Sequence, residues 1–339
     1  MKKVAFVVFL LWVTGIIFAG KVIRLSDVVN PDSITIHSGQ FYVTEGTTIS
    51  IYSLKDYKLK NKFGKKGEGP QEFIVYPGIA GLQILFHSDK MQIGSVGKIS
   101  FFSFDGKFIK ELRHTTTVWS SQYYPIENGH KFIGTGARQE GGKNLESINI
   151  YDSQLKKEKE INSYVVGKGG GKGKLLDRTI AIQTFDNKAF IVGSRDFVID
   201  VFNVEGKKLY TIQHDYKNMD FTDKHKEEIL NWYKVNPTTK QYYESLKSRL
   251  DFPPLFPSIR SFIIADKKIY VQTYKKKNQD TEFLIFDIKG KFLKTVWLPI
   301  IKTNPVETSQ LFTIKNNKLY QLIEDEDEEM WDLNIIEIE

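Results

Sequence analysis

One short pattern occurs six times along the chain and restricts it to a repeat architecture: a polar turn followed by a run of apolar and aromatic residues. The copies are His37-Ser-Gly-Gln-Phe-Tyr-Val43, His87-Ser-Asp-Lys-Met-Gln-Ile93, Glu127-Asn-Gly-His-Lys-Phe-Ile133, Phe185-Asp-Asn-Lys-Ala-Phe-Ile191, Ala265-Asp-Lys-Lys-Ile-Tyr-Val271 and Lys315-Asn-Asn-Lys-Leu-Tyr-Gln321. Gly, Asn, Asp and Lys occupy the turns, where tight hairpins need residues that tolerate positive φ. Apolar residues flank each turn, so each copy reads as a β-hairpin.

A second strand-and-turn pattern follows each copy, marked by Tyr52, Phe102, Tyr151, Phe202, Phe286 and Ile336. These positions are 50, 49, 51, 84 and 50 residues apart. A further strand follows most of the second turns, as in Lys107-Phe-Ile-Lys-Glu-Leu112. Each unit is thus about four short antiparallel strands in roughly 50 residues, the content of a propeller blade. The chain of 339 residues would otherwise carry a soft expectation of two domains, at about 150 residues each. The repeat overrides it and predicts an all-β, six-bladed propeller. Naming the strands A to D from the centre outwards, the sixth unit lacks strand D, because the chain stops at Glu339. Val22-Ile-Arg-Leu25 is a strand with no blade of its own. It is expected to complete the last blade beside Ile335–Ile338, closing the ring and removing an exposed edge. A β-sandwich would not explain six copies of two linked turns.

These repeats resemble those of exported bacterial six-bladed propellers related to NHL-type and TolB-like proteins. The segment Phe63-Gly-Lys-Lys-Gly-Glu-Gly-Pro-Gln-Glu-Phe73 is similar to a Gly-x-Gly-Pro-x-Glu-Phe stretch of that group. Pro253-Pro-Leu-Phe-Pro-Ser-Ile-Arg260 is similar to its linker. Many members carry a lipid-attachment cysteine, and this chain has no cysteine, hence also no disulfide and no thiolate metal site.

The N-terminus reads as an export signal over residues 1–20, with the propeller over 21–339. Lys2 and Lys3 precede an apolar run that reaches Phe18, and Ala19 and Gly20 offer small residues for cleavage. The run is at the low end of the roughly 17–25 residues that span a bilayer. A polar chain follows at once, so cleavage and a periplasmic or extracellular address are expected, an uncleaved anchor being the alternative. Net charge is +7, or +5 without Lys2 and Lys3. Lysines scattered over turns and strand edges protect edges and keep the chain soluble, which argues against nucleic acid as a partner.

In a four-stranded blade the A–B and C–D turns lie on one face of the disc, and the B–C and D–A connections on the other. The long segments, 64–78, 134–147, 165–178, 216–257, 274–282, 301–309 and 324–331, are all B–C or D–A. Connections on a rigid scaffold are where sites are built, so this face is the expected functional one. Segment 216–257, between blades four and five, reads as two helices: the first from about Thr222 to Tyr233, the second opened by Asn236 capping Pro237. The candidate ligand contacts on this face are Arg138, Glu140, Arg195, Asp196, Tyr274, Lys276 and Trp331.

Catalytic signatures are absent from the sequence. The six histidines show no His-x-x-x-His spacing, and no nucleophile elbow occurs. Val166-Gly-Lys-Gly-Gly-Gly-Lys-Gly-Lys174 fails the phosphate-loop spacing, since Leu175 follows where a hydroxyl should. Six carboxylates, Glu324-Asp-Glu-Asp-Glu-Glu329, read as a solvated acidic loop, with Ca²⁺ as the lesser alternative because the run lacks a calcium loop's spacing. No cofactor and no catalytic or metal-ligating residue is assigned. The expectation is a monomeric, non-catalytic binding or scaffold propeller for a protein, peptide or glycan. A metal-dependent hydrolase or lyase working at the channel mouth is the alternative, and a structural subunit of an envelope assembly a third reading.

Overall fold

The computed structural model describes residues 20–76, 81–114, 122–168, 173–176, 180–193, 195–237, 239–300 and 311–339. The expected leader therefore lies outside the described residues, as do the 301–309 connection and the middle of the Gly/Lys segment.

Six four-stranded antiparallel sheets follow one another along the chain. Blade 1 is Ser33–His37, Gln40–Glu45, Thr48–Ser53 and Leu59–Phe63. Blade 2 is Gln83–Phe86, Met91–Ser95, Lys98–Phe102 and Phe108–Arg113. Blade 3 is Tyr123–Ile126, Lys131–Glu140, Lys143–Tyr151 and Lys157–Lys168. Blade 4 is Ala181–Phe185, Lys188–Val192, Val198–Phe202 and Lys208–Gln213. Blade 5 is Ser261–Ala265, Lys268–Lys277, Asp280–Asp287 and Phe292–Leu298. Blade 6 takes Phe312–Lys315, Lys318–Asp325 and Met330–Glu337 from the C-terminus and Lys21–Leu25 from the N-terminus.

The A–B turns work as their composition predicts. Ser38 and Gly39, Asp186 and Asn187, Asp266 and Lys267, and Asn316 and Asn317 all have positive φ, the backbone of two-residue turns that match strand twist. Their side chains also tie neighbouring blades together. The Asn128 N–H donates to Asn187 Oδ1 at 3.3 Å, and the Asn317 N–H to Asp266 Oδ2 at 2.9 Å.

Alternation places apolar residues on both faces of every sheet, and the result is one buried cluster at each junction between blades. Ile34 and Phe41 meet Leu322 and Leu333 between blades 1 and 6. Tyr42 and Ile51 meet Met91 and Phe102 between blades 1 and 2. Phe101 meets Phe132 and Tyr151, and Ile133 meets Ile191 and Phe202, at the next two junctions. Val192 and Val201 meet Val271 and Phe286, and Tyr270 and Ile285 meet Leu319 and Ile338, at the last two. Six clusters between six sheets make a closed ring.

The closing strand pairs with the strand expected but four residues further towards its N-terminus: Lys21 faces Ile335 and Leu25 faces Trp331, not Ile335–Ile338. Two forces fix this register. Leu25 enters the core cluster that also holds Trp331. Arg24 meets three carboxylates, Asp332 at 2.6 Å, Asp325 at 2.8 Å, and Glu328. Ile338 instead turns into the junction between blades 5 and 6, its N–H bonded to the Asn317 carbonyl.

The segment over 63–73 is a staple between blades 1 and 2. Glu72 accepts the Gly69 N–H, and from blade 2 the buried Lys98 donates to the carbonyls of Glu68 and Gly69 and to Glu111. Gly67, at φ 150°, has no room for a Cβ beside the Glu72 carboxylate.

Three of the B–C segments expected as loops are strands. Blades 3 and 5 extend their B and C strands to two-residue turns, Gly141-Gly142 and Asn278-Gln279, and blade 6 does so to Glu326–Glu329. Turn-forming and charged residues mark these segments in the sequence, but the period of two continues through them. The helical insertion contains α1 (Asp223–Val235), a 3₁₀ turn over Lys240–Tyr242 and α2 (Tyr243–Arg249). α1 starts where expected, and Thr222 caps it in a reciprocal box with His225. Asn236 does not open the second helix. It ends α1, its N–H bonded to the Trp232 carbonyl, and its own carbonyl accepts the N–H groups of Thr239 and Lys240, so helix resumes only after that turn.

Candidate functional site beneath the helical insertion

Strand B of blade 5 has an irregularity that no other B strand shares. Gln272 pairs with Phe283 and Lys276 with Thr281, so Thr273, Tyr274 and Lys275 stand opposite Glu282 alone. Such bulges re-aim side chains and are frequent beside sites. Thr273 and Lys275 turn to one side. The Thr273 hydroxyl and the Tyr216 hydroxyl both donate to Glu282 Oε2, at 2.8 and 3.0 Å, and the Lys275 ammonium lies 4.0 Å from the centre of the Tyr216 ring. Burial, then the adjacent Glu282 charge, pushes the Tyr216 hydroxyl well above the usual phenol range, so it stays a donor.

Tyr274 turns to the other side. Its ring stacks on Phe256 at 4.6 Å, and the Arg260 guanidinium lies 5.6 Å from its centre. Lys276 follows it at the exposed tip. Its ammonium is held below the usual lysine range, first by partial loss of hydration and then by the Arg260 charge, with Glu228 of α1 acting in the opposite sense.

The insertion is fastened over this place at both feet. The Phe221 N–H bonds to the Pro254 carbonyl and the Phe256 N–H to the Met219 carbonyl, while Asp220 and Leu255 form a bridge. Phe221, Phe252, Phe256 and His225 fill the angle beneath α1. Arg195 locks the insertion to blade 4: its guanidinium donates to the carbonyls of Leu176 and Leu255, and its own carbonyl accepts from the Ser258 N–H and hydroxyl.

Among the residues chosen from the sequence, the structure therefore brings together Arg195, Tyr274 and Lys276. Asp196 is exposed beside Arg195, its carbonyl bonded to the Val198 N–H. Arg138 and Glu140 lie elsewhere, on the blade 3 hairpin, where Arg138 pairs with Glu140 at 3.2 Å and Glu160 at 3.1 Å. Trp331 points inwards, 9% exposed, with its indole N–H on the Val29 carbonyl at 2.9 Å. Sequence reading missed Arg260, Glu282, Phe256 and Glu228. Glu282 alone carried a signal, a carboxylate at an inward position of Asp280–Asp287, whereas the others depend on where the insertion crosses the disc.

Two clefts lie away from this place. One, of about 510 Å³, is lined by Lys90, Lys110, Ser153 and Gln154 at the junction of blades 2 and 3. The other, about 290 Å³, is lined by Gln40, Lys60, Asp105 and Lys107 at the junction of blades 1 and 2. They use the same positions of successive blades: the start of strand B, the middle of strand D and the next C–D turn. They are grooves of the repeat. Among the described residues, no three His, Asp, Glu or Cys side chains gather as metal ligands.

No family model matches the chain, and no curated protein matches it in sequence. Solved structures do. The Cps50 (Swd1) β-propeller domain of Myceliophteria thermophila aligns over 93% of this chain and 97% of its own at 11% identity and a TM-score of 0.44. The WD40 domain of Neurospora crassa Pan2 aligns over 90% and 88% at 7% identity and 0.42. A Bacteroides caccae protein of unknown function aligns over 79% and 81% at 8% identity and 0.43. At such identities and TM-scores the likeness assigns no ligand.

Proposed function

We propose that the protein is an exported, monomeric, non-catalytic propeller that binds a protein, peptide or glycan on its B–C face, where the helical insertion crosses the junction of blades 4 and 5. The observation that carries this reading is the convergence of Arg195, Tyr274 and Lys276 with Arg260 and Phe256. Three separate chain segments meet there, on the face that also carries the insertion. Rigid strands holding an aromatic ring and cations beneath a fastened helical element are the ingredients of a recognition site. Export rests on Lys2, Lys3 and the apolar run behind them, and on the likeness of the 63–73 and 253–260 segments to exported bacterial propellers.

Two measurements test this. N-terminal sequencing of the protein made in a bacterial host with its leader should begin near Gly20 or Lys21, and an intact Met1 in the soluble fraction refutes export. Peptide and glycan arrays should yield a ligand for the whole protein. Replacing residues 223–249 by a short Gly-Ser turn should abolish its binding while far-UV circular dichroism keeps the strand signal. A ligand indifferent to that replacement moves the site off this face.

A further inference from the structure

The disc has two faces, and its excess charge is on one of them. The eleven A–B and C–D turns, each taken with the residue on either side, hold sixteen lysines against nine carboxylates. From Lys21 onwards the rest of the chain has 30 basic and 32 acidic side chains. The whole basic excess of the propeller therefore lies on the turn face, opposite the helical insertion. Lysine on a strand edge guards that edge, but a turn has no edge to guard. Some of the nine carboxylates are occupied in their own turns: Asp152 accepts the N–H groups of Gln154 and Lys156, and Asp287 those of Lys289 and Lys291. Lys58, Lys156, Lys207 and Lys291, one from each of four C–D turns, are exposed, and among the described residues none of them makes an ion pair.

Apolar side chains ring the same face. Val22, Leu59, Ile109, Leu209, Phe292 and Leu293 are exposed although large. Each sits within the first two residues of a D strand, and each is next to a lysine in the sequence. Turn residues of this face also line both clefts, each with two lysines, Lys90 and Lys110 in one and Lys60 and Lys107 in the other. Lys21–Leu25 starts on this side: Lys21 faces Ile335 near the end of strand C, and Leu25 faces Trp331 at its beginning. The apolar run that reaches Phe18 stops three residues before Lys21.

We propose that the turn face lies on an anionic lipid bilayer, with its lysines on headgroup phosphates and its six apolar side chains at the boundary between headgroups and acyl chains, so that the insertion and the B–C face point into solution. Basic side chains draw a surface to anionic lipid, and apolar ones beside them hold it there. The lysine stem lies along the apolar layer while its ammonium reaches the phosphate. A nucleic acid or a sulfated glycan offers the charge but no apolar layer for the six side chains to enter. The proposal goes beyond the binding reading above and does not depend on it.

The test is flotation of the purified soluble protein with vesicles of phosphatidylglycerol and phosphatidylcholine in equal parts, with pure phosphatidylcholine vesicles and immobilised heparin as controls. At low salt the protein should bind the anionic vesicles at least about tenfold more tightly than the neutral ones, and it should come off at about 0.5 M NaCl. Lys58→Gln, Lys156→Gln, Lys207→Gln and Lys291→Gln combined should weaken binding at least about thirtyfold. The same loss of charge on the other face, Lys66→Gln, Lys143→Gln, Lys217→Gln and Lys224→Gln combined, should change it less than about threefold. Ile109→Ser with Leu209→Ser should weaken vesicle binding about tenfold and leave heparin binding unchanged. Far-UV circular dichroism checks that each variant keeps the strand signal. Equal loss in the two quadruple variants means that net charge alone acts, and it overturns the proposal. So does the absence of flotation with anionic vesicles. Heparin binding that follows the turn-face lysines while vesicle binding ignores Ile109 and Leu209 assigns a soluble polyanion instead and overturns it too. In each of these cases an array ligand that requires the insertion still upholds the binding reading.

Discussion

Blades 3 and 5 both lengthen their B–C hairpins beyond the core, and they do opposite things with the extra residues. The blade 3 hairpin runs in unbroken register from Phe132 opposite Tyr151 to Glu140 opposite Lys143, then turns at two glycines of positive φ. Strand D follows it outwards to Lys168. Its charges satisfy one another, Arg138 with Glu140 and Glu160, and Lys157 with Glu160. The blade 5 hairpin breaks register once, at Thr273–Lys275, and its groups turn to other segments, Thr273 beside Tyr216 on Glu282 and Tyr274 onto Phe256. A regular hairpin spends its polar groups on itself. A bulge roofed by an insertion turns its groups towards the segments that cross it.

The contrast can be broken most severely at Phe256. It is 1% exposed, stacked on Tyr274 and in tilted contact with Phe221. Phe256→Ala should cost about 3–5 kcal/mol in urea unfolding and free the insertion's feet to exchange hydrogen. A loss well below 1 kcal/mol would mean that the insertion is not seated as described. Next in size is Thr273→Val, which keeps the side chain's shape and leaves Glu282 with Tyr216 as its one hydroxyl donor. The expected loss is about 1–3 kcal/mol, and an unchanged midpoint would remove the polar network from the account of the bulge.

Acid should act on the other half of the ring. His37, His87 and His114 are all held below the usual histidine range by burial, at the junctions of blades 1 to 3. His87 sits beside Phe101 and Phe132, with Nε2 3.0 Å from Gln92 Oε1. Gln92 spends its amide N–H on the Tyr123 carbonyl, so His87 must donate from Nε2 in the neutral form. Below about pH 6.5 the unfolded chain takes up protons that these folded histidines refuse, and stability falls until the folded groups titrate. Urea midpoints should therefore drop between pH 7.5 and 5.5, less steeply in His87→Gln. A flat profile would show that the three rings are not desolvated. The smallest expected effect is Arg138→Gln in the blade 3 hairpin. The ion pairs there are exposed and worth ~0–1 kcal/mol, so its urea midpoint should barely move.

The six sheets were legible because a period of two and a recurring turn are local facts, visible wherever Phe-Tyr-Val or Ile-Tyr-Val follows a polar pair. The closing strand was legible by elimination, but its register was not. Register depends on Arg24 finding Asp325, Glu328 and Asp332 across more than 300 residues of chain, and no local pattern encodes that match. The site was half legible. Tyr274 and Lys276 stood out as ring and charge in an expected B–C connection. Arg260 and Phe256, which give them a role, belong to a linker whose path over the disc is set by the insertion's feet. Trp331 stood out for the same reason as Tyr274, and both are buried at 9% exposure; Trp331 differs in packing within blades 1 and 6, away from the insertion.

The pairing of Lys21 with Ile335 sets the order in which the molecule can be finished. Lys21–Leu25 has no partner until Met330–Glu337 exists, more than 300 residues later, so until then the ring is an open crescent with two raw ends. Contacts so distant in sequence are slow to form, and any chain that terminates early leaves both ends exposed to neighbours. Met330–Glu337 thus decides whether the ring closes: a chain cut short before it leaves Lys21–Leu25 without its partner.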